Sequence, residues 1–363
     1  MTKPTLDFGQ DIDFTVVTPL FLGNALQNAA ELRLPSIKGV MRFWHRVTGP
    51  ESLETESALF GSSTGTGSGQ APFLLRLRET QVSDQVLDGT GAPLSYLGYG
   101  AILRGKSRPF IPPGTELKLR IVYRPNAPPD VEEGVLRSLR LMNYFGGLGA
   151  RSRRGWGSVV FANDLPVDFH DLVSRLQCEL NTLSIPDSKQ ANHTSFSSDS
   201  RVIVLQAGTS WKQALNLIGQ LMMEVRNPKT SPPDYLWAKK DVRLVSDYLR
   251  TGVASDAPSR AAFGLPHNYF FIRTKDKVDI EGGHKDYSRR ASPLFIHVHL
   301  MQDGQYAVVV TFLPAPLLPE GQRLVMKTKG QRTAEVPPPA TWGAVEGFLD
   351  YIATKPGAKE VLI

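Results

Sequence analysis

An α+β fold with a ferredoxin-like (RRM-like) first half is predicted for this chain, on three observations. Apolar residues alternate at 11–17, 72–78 and 115–123, as on half-buried strands. They recur at helical spacing at 36–47 and again from 130 to about 144. With a further strand at 156–161, the order is strand, helix, strand, strand, helix, strand, which is the split βαβ arrangement. Such a sheet has one face covered by helices and one face open to a ligand, as in RNA-recognition modules.

The first strand ends at Thr18-Pro19. Ser36, after Pro35, is the expected N-cap of the first helix. Ile37, Val40, Met41, Trp44 and Val47 form its apolar face, and Gly49-Pro50 stops it. GSSTGTGSG at 61–69 reads as a flexible loop, and the stretch carrying Gly98, Gly100 and Gly105 as an irregular excursion. Pro128-Pro129-Asp130 opens the second helix, with Val131, Val135, Leu139 and Met142 on one face. Residues 165–183 read as helix, and the polar, turn-rich 184–200 as a linker between domains at 1–183 and 201–363. In the second half, helices are expected at 211–225 and 235–249, strands near 269–273, 294–301 and 306–313, and a last helix from 341. This mixture permits a second, degenerate copy of the same fold.

The 363 residues fit two domains, each able to bury a core. Net charge is +6, which becomes informative only where the cations cluster. Cys178 is the one cysteine, so neither an internal disulfide nor a cysteine-based metal site is possible, and a reducing compartment is expected. The opening MTKPTLDFGQD has no apolar signal core, and no apolar run approaches the roughly 20 residues of a membrane span. A cytoplasmic protein without membrane contact is the expectation.

Two basic constellations stand out. Lys38, Arg42 and Arg46 are spaced i, i+4, i+8 along one helix face, and no acid occurs between Arg33 and Arg46. Such a row suits a phosphate chain, since each cation displaces a condensed counterion; the blander reading is a solvated basic face. The second is FGGLGARSRRGWGSV at 145–159. Gly146, Gly147, Gly149, Gly155 and Gly157 permit close backbone approach, while Arg151, Arg153 and Arg154 supply guanidinium forks that match phosphate. Trp156 can stack on a base or pack into the core. Arg137 and Arg140 on the preceding helix extend the field. A third group is Lys285, Arg289 and Arg290, with Asp279 and Asp286 close enough in sequence to neutralise part of it.

Catalytic and metal patterns are thin. His297 and His299 share a strand face but lack a third ligand at suitable spacing, so structural histidines are expected. His45 is the one candidate general acid/base, and it lacks an evident partner. No paired carboxylates sit in an obvious loop, and the Gly-Arg loop is not a Walker loop, since no Gly-Lys-Ser/Thr follows it at the required spacing. No metal or cofactor is expected.

TPLFLG at 18–23, ELRLPSIKGVMRFW at 31–44 and the Gly-Arg loop together resemble the RAMP superfamily of CRISPR proteins, and within it the first-subunit family of the type III-B (Cmr) RNA-targeting effector. FGLP at 263–266 and RRASPL at 289–294 look like that family's second-domain signature. The resemblance implies tandem ferredoxin-like folds with irregular insertions. It also implies a place at the head of a multi-subunit ribonucleoprotein, near the 3′ end of the guide RNA, where the subunit helps engage target RNA while another subunit cuts. The family's basic groove maps onto Lys38, Arg42, Arg46 and the loop of Arg151, Arg153 and Arg154. Where the family often has a second aromatic after Trp44, this chain has His45.

The leading expectation is therefore a non-catalytic RNA-binding subunit acting in antiviral defence, with guide RNA, target RNA and other RAMP subunits as partners. Its expected contacts are Lys38, Arg42, His45, Arg46, the Gly-Arg loop, Arg289 and Arg290. The alternatives are a metal-independent RAMP endoribonuclease that processes guide RNA through His45, and an assembly scaffold whose basic patches meet acidic proteins.

Overall fold

Phe14 and Val16 face one side of the first strand while Asp11 and Asp13 face the other, and this alternation sets the first sheet. The computed structural model describes residues 9–49, 51–63, 69–79, 81–187, 193–232, 235, 237–330 and 333–363. Strands β1 (Gly9–Val16), β2 (Phe73–Leu77), β3 (Glu116–Tyr123) and β4 (Val159–Phe161) pair antiparallel in the order β4-β1-β3-β2. Helices α1 (Leu34–Arg46) and α3 (Asp130–Phe145) cross between them, with α2 (Glu51–Phe60) packed beside α1. This is the ferredoxin-like arrangement.

Local sequence explains the helices. Pro35 sits in the first turn of α1, where a missing N–H is harmless. The N-cap is the extended Arg33, so Ser36 lies inside the helix rather than capping it. Asp130, Glu132 and Glu133 favour the N-terminus of α3 through its dipole. Helix α4 (Phe169–Asn181) is capped by the Asp168 carboxylate, which accepts from the Asp171 amide.

The second half holds β5 (Arg201–Gln206), α5 (Trp211–Arg226), α6 (Trp237–Thr251), β6 (His267–Phe270), β7 (Lys277–Gly282), β8 (Leu294–Leu300), β9 (Tyr306–Phe312), β10 (Leu324–Thr328), β11 (Thr333–Val336), α7 (Gly343–Ala353) and β12 (Ala358–Val361). One sheet runs β8-β9-β5-β12. Counted along the chain from β5, that order matches the first sheet read from the opposite edge. The copy is therefore complete in topology, not degenerate. The irregular insertions form a sheet of their own, β6-β7-β10-β11, closed by α6 through Val245 and Tyr248. The Tyr248 hydroxyl donates to the Met326 carbonyl at 2.9 Å.

The two ferredoxin-like sheets share one core. Phe14, Leu119, Trp44, Leu139 and Phe145 belong to the same apolar cluster as Val202, Val204, Phe295 and Val309. The first half's helices are thus sandwiched between the two sheets. Ile203, Ile296, Val298 and Val310 face the other way, onto α5 and α7. Both faces of the second sheet are covered, which is why β5, β8 and β9 read as nearly unbroken apolar runs. Of the two ferredoxin-like sheets, the first keeps an open face among the described residues. Among the described residues it carries no aromatic platform; instead Arg120 pairs with Asp11 at 3.0 Å, Arg78 with Asp11 at 3.2 Å and Lys118 with Glu79 at 2.9 Å.

The glycine-rich loop at 61–69 lies outside the described residues at 64–68, and so does 188–192 of the expected linker. The described remainder of that linker is packed rather than free: Phe196 is fully buried against Phe145, and its amide donates to the Val47 carbonyl. Among the described residues, no helix is long and apolar enough to cross a membrane.

Candidate nucleic-acid interface

Chain direction brings the Gly-Arg loop against the second half. After α3 the backbone is left-handed at several glycines, among them Gly149 (φ +78°) and Gly157 (φ +67°). A Cβ at either would collide with backbone, with the Phe21 carbonyl at Gly149 and the Leu148 carbonyl at Gly157. Between them Arg151 itself is left-handed (φ 64°, ψ 20°) and starts a 3-10 turn, Ser152–Arg154. A side-chain-bearing residue in that region costs of order 1–3 kcal/mol, so surrounding packing must hold it. The turn presses on β8.

Of the three arginines, Arg153 and Arg154 are drawn inward. Arg153 lies over the Phe43 and Phe295 rings at 5.1 and 4.3 Å, and it donates to the Ser292 carbonyl at 2.5 Å. Among the described residues the Arg154 side chain reaches only the Met222 sulfur, at 3.6 Å. Arg151 is exposed, with Arg108 as a repelling neighbour that adds to the lowering of its pKa by burial. Burial, followed by Arg290, pulls the Arg153 guanidinium down to about 10. Burial likewise brings Arg154 to about 10, with Arg226 and Arg151 adding repulsion and Tyr96 opposing them.

A cleft of about 330 Å³ lies where this turn meets the FGLP and RRASPL segments. Its wall includes Arg151, Arg153, Arg154, Arg226, His267 and Arg290, and none of the described lining residues is acidic. A second cleft, of about 630 Å³, shares Arg153 and Arg290 with it and adds Phe43, Arg46, Tyr287 and Arg289, together with one acid, Glu320. Arg290 donates to the Thr194 hydroxyl at 3.2 Å, and burial lowers its pKa. Among the described residues no ion pair joins a carboxylate to Arg151, Arg153, Arg154, Arg226, Arg289 or Arg290. Asp279 pairs with Lys277, and Asp286 lies near His284, so neither neutralises Arg289 or Arg290.

The helix row behaves otherwise. Arg42 pairs with Glu56 of α2 at 3.1 Å, and Arg46 holds the same carboxylate in a two-pronged contact, one prong at 2.7 Å. Two cations share one carboxylate, so the row is not acid-free: the acid arrives from the next helix and not from the adjoining stretch of chain. The Arg46 hydrogen bond holds the Glu56 carboxyl below the usual range. Arg42 also caps the end of α2 by donating to the Phe60 carbonyl at 3.1 Å. Lys38 lies 5.4 Å from the Phe73 ring, and burial lowers its pKa. With Arg42 and Arg124 it lines a third cleft of about 660 Å³.

Other expected contacts turn inward. Trp156 is fully buried against Phe21 and Trp211 and is not free to stack on a base. Gly146 and Gly147 are buried, and a Cβ on Gly146 would strike the Trp44 indole nitrogen. They fit the loop to the core rather than line a groove. His45 is buried, with Nε2 2.9 Å from the Thr55 hydroxyl and its ring edge-on to Phe60. It lines a small cleft of about 150 Å³ with Arg137, separate from the arginine clefts. Arg140 is held by Glu133 and Glu179 at 2.8 and 3.0 Å, so it adds nothing to the field.

His297 and His299 are fully buried in the shared core, and burial brings them to about 3 and about 4. His297 Nδ1 donates to the Gly146 carbonyl at 2.6 Å, as structural histidines do. No group of three potential metal ligands exists among the described residues. Sequence reading missed Arg226, His267 and Tyr287. The second-half motifs flanking two of them, FGLP and RRASPL, were the available signal.

Comparisons with known proteins agree with this architecture. Residues 13–160 match the family model described as the RAMP superfamily. The chain is 26% identical over 325 residues to the CRISPR system Cmr subunit Cmr1-1 of Pyrococcus furiosus, covering 80% of this chain and 82% of that protein. The crystal structure of Cmr1 from Pyrococcus furiosus in its apo form superposes with a TM-score of 0.54 at 17% identity, over 98% of this chain and 99% of that one. A chain of the type III-B Cmr-beta complex bound to cognate target RNA gives a TM-score of 0.49 at 12% identity, over 94% of this chain and 98% of that one.

Proposed function

We propose that this Cmr1-like protein of the RAMP superfamily is a non-catalytic RNA-binding subunit of a type III-B (Cmr) ribonucleoprotein effector in antiviral defence. It holds the 3′ region of guide RNA, target RNA, or both, by the phosphate backbone, with the other RAMP subunits as neighbours. The domains implied are 1–183 and 201–363, joined through 184–200. The observation that carries the reading is the pair of arginine-lined clefts between the Gly-Arg loop and the second half. Arg153, Arg154 and Arg290 are partly removed from water with no carboxylate ion-paired to them among the described residues, which is costly, and a phosphate chain supplies the missing counter-charge. Arg289 and Arg46 extend the path from the inner cleft outward along α1.

A fluorescence-anisotropy titration of single-stranded RNA across a salt series tests this. The double variant Arg289→Gln/Arg290→Gln is expected to bind more weakly, with a salt slope shallower by roughly 0.7 per lost phosphate contact. Unchanged affinity together with an unchanged slope would overturn the reading. The ribonuclease alternative gains nothing from His45, whose imidazole lies away from both arginine clefts.

A further inference from the structure

We propose that the 330 Å³ cleft is a socket for a terminal phosphate of an RNA strand, a phosphomonoester rather than an internal phosphodiester; this rests on the RNA-binding reading above. The first argument is charge. Arg151, Arg153, Arg154, Arg226 and Arg290 converge there without an acid among the lining residues, and several of them repel one another. An internal phosphodiester brings one negative charge. A terminal phosphate brings about two near neutral pH, and it offers three acceptor oxygens.

The second argument is the inventory of donors. Each guanidinium carries five N–H donors in a planar fork. Arg153 uses one nitrogen on the Ser292 carbonyl, Arg226 one on the Tyr96 hydroxyl and Arg290 one on the Thr194 hydroxyl. Arg154 has only a thioether, the weakest of acceptors. The His267 Nε2, on the same wall, is buried and has no hydrogen-bond partner among the described residues. This surplus exceeds what two free oxygens of a phosphodiester can accept, and it suits a group whose three oxygens are all unesterified.

The third argument is what lies next door. The larger cleft reached past Arg153 and Arg290 is walled by Phe43, Tyr287, Pro316, Leu317 and Leu318. Tyr287 is 40% exposed, so its ring is open to stacking. A phosphate anchored in the arginine socket leaves the attached nucleoside beside an apolar and aromatic surface. The strand then continues past Arg289 and Arg46.

The test uses the full chain and one single-stranded RNA sequence made in three forms, with hydroxyl ends, a 3′-phosphate or a 5′-phosphate. One phosphorylated form is expected to bind roughly tenfold tighter than the hydroxyl form, the worth of one additional charge-assisted hydrogen bond. Which end wins identifies the strand polarity. The preference should vanish in Arg154→Gln and fall in Arg290→Gln, the second variant covering the case that the first fails to fold. Inorganic phosphate should raise the wild-type melting temperature and erase the preference. Equal binding of all three RNAs, or no melting shift with phosphate, overturns the socket but leaves RNA binding intact. Failure of every RNA to bind overturns both.

Discussion

Arg153 lies with its guanidinium carbon 4.3 Å from the centroid of the Phe295 ring, and its donor reaches the Ser292 carbonyl two residues before β8 starts. One side chain of the first half is thus both a tie to the second half and a wall of each arginine cleft. A cation over a ring, partly removed from water, is worth up to about 2 kcal/mol, and a hydrogen bond from a charged donor about 1.5 kcal/mol or more. The desolvation of the guanidinium offsets part of this.

Arg153→Ala is therefore expected to lower stability by roughly 1–2 kcal/mol in urea unfolding and to weaken RNA binding in the same protein. Arg153→Lys should recover less than half of the RNA affinity, since an ammonium cannot reproduce the fork. Full affinity in Arg153→Ala would mean that the side chain ties the halves together and does nothing for phosphate.

Glu56 restrains the helix row. Replacing its carboxylate in Glu56→Gln frees Arg42 and Arg46, so RNA affinity should rise and the salt dependence steepen by as much as about 1.4, two contacts at roughly 0.7 each. A variant that binds RNA less tightly than wild type while remaining folded would show that Glu56 orders the arginines for binding rather than competing with RNA.

The same pair sets a pH dependence. The Glu56 carboxyl titrates below its ordinary value because Arg46 bonds to it. Its contribution is fully present above the unfolded glutamate value, near 4.3, and is lost as pH falls through the lower folded value. Wild type should therefore lose more stability than Glu56→Gln between about pH 5 and pH 3. Parallel stability curves for the two proteins over that window would show that the ion pair contributes nothing net.

His45 is expected to matter for folding and not for RNA cleavage. His45→Ala removes a buried ring and its bond to Thr55 and should cost roughly 2–4 kcal/mol. Any cleavage of labelled repeat RNA in EDTA should be the same for both proteins. Discrete cleavage by wild type that disappears in a folded His45→Ala would restore the nuclease reading.

Much of the first half was legible because its strands alternate cleanly and its helices keep one apolar stripe. Strand β5 was missed: RVIVLQ follows a polar, turn-rich segment, and it is buried on both faces, so it gives no alternation. The sheet β6-β7-β10-β11 was mostly invisible because its short strands, four to six residues each, come from two separated insertions that meet only in three dimensions. The arginines were legible as residues but not as charges. Glu56 could not be assigned to Arg42 and Arg46 without the angle between α1 and α2. Nor could Arg226, an ordinary last-turn arginine of α5, be assigned to the cleft. Trp156 was left open between stacking and packing, and packing wins because Gly155 and Gly157 draw it down between Phe21 and Trp211.

Ultraviolet crosslinking of the full chain to single-stranded RNA, read by mass spectrometry, addresses the central claim most directly. The account predicts crosslinked peptides that contain Tyr287 and the Arg151-to-Arg154 turn, suppressed by Arg289→Gln/Arg290→Gln. Crosslinks confined to the open face of the first sheet, around Arg76, Lys118 and Arg120, would contradict it.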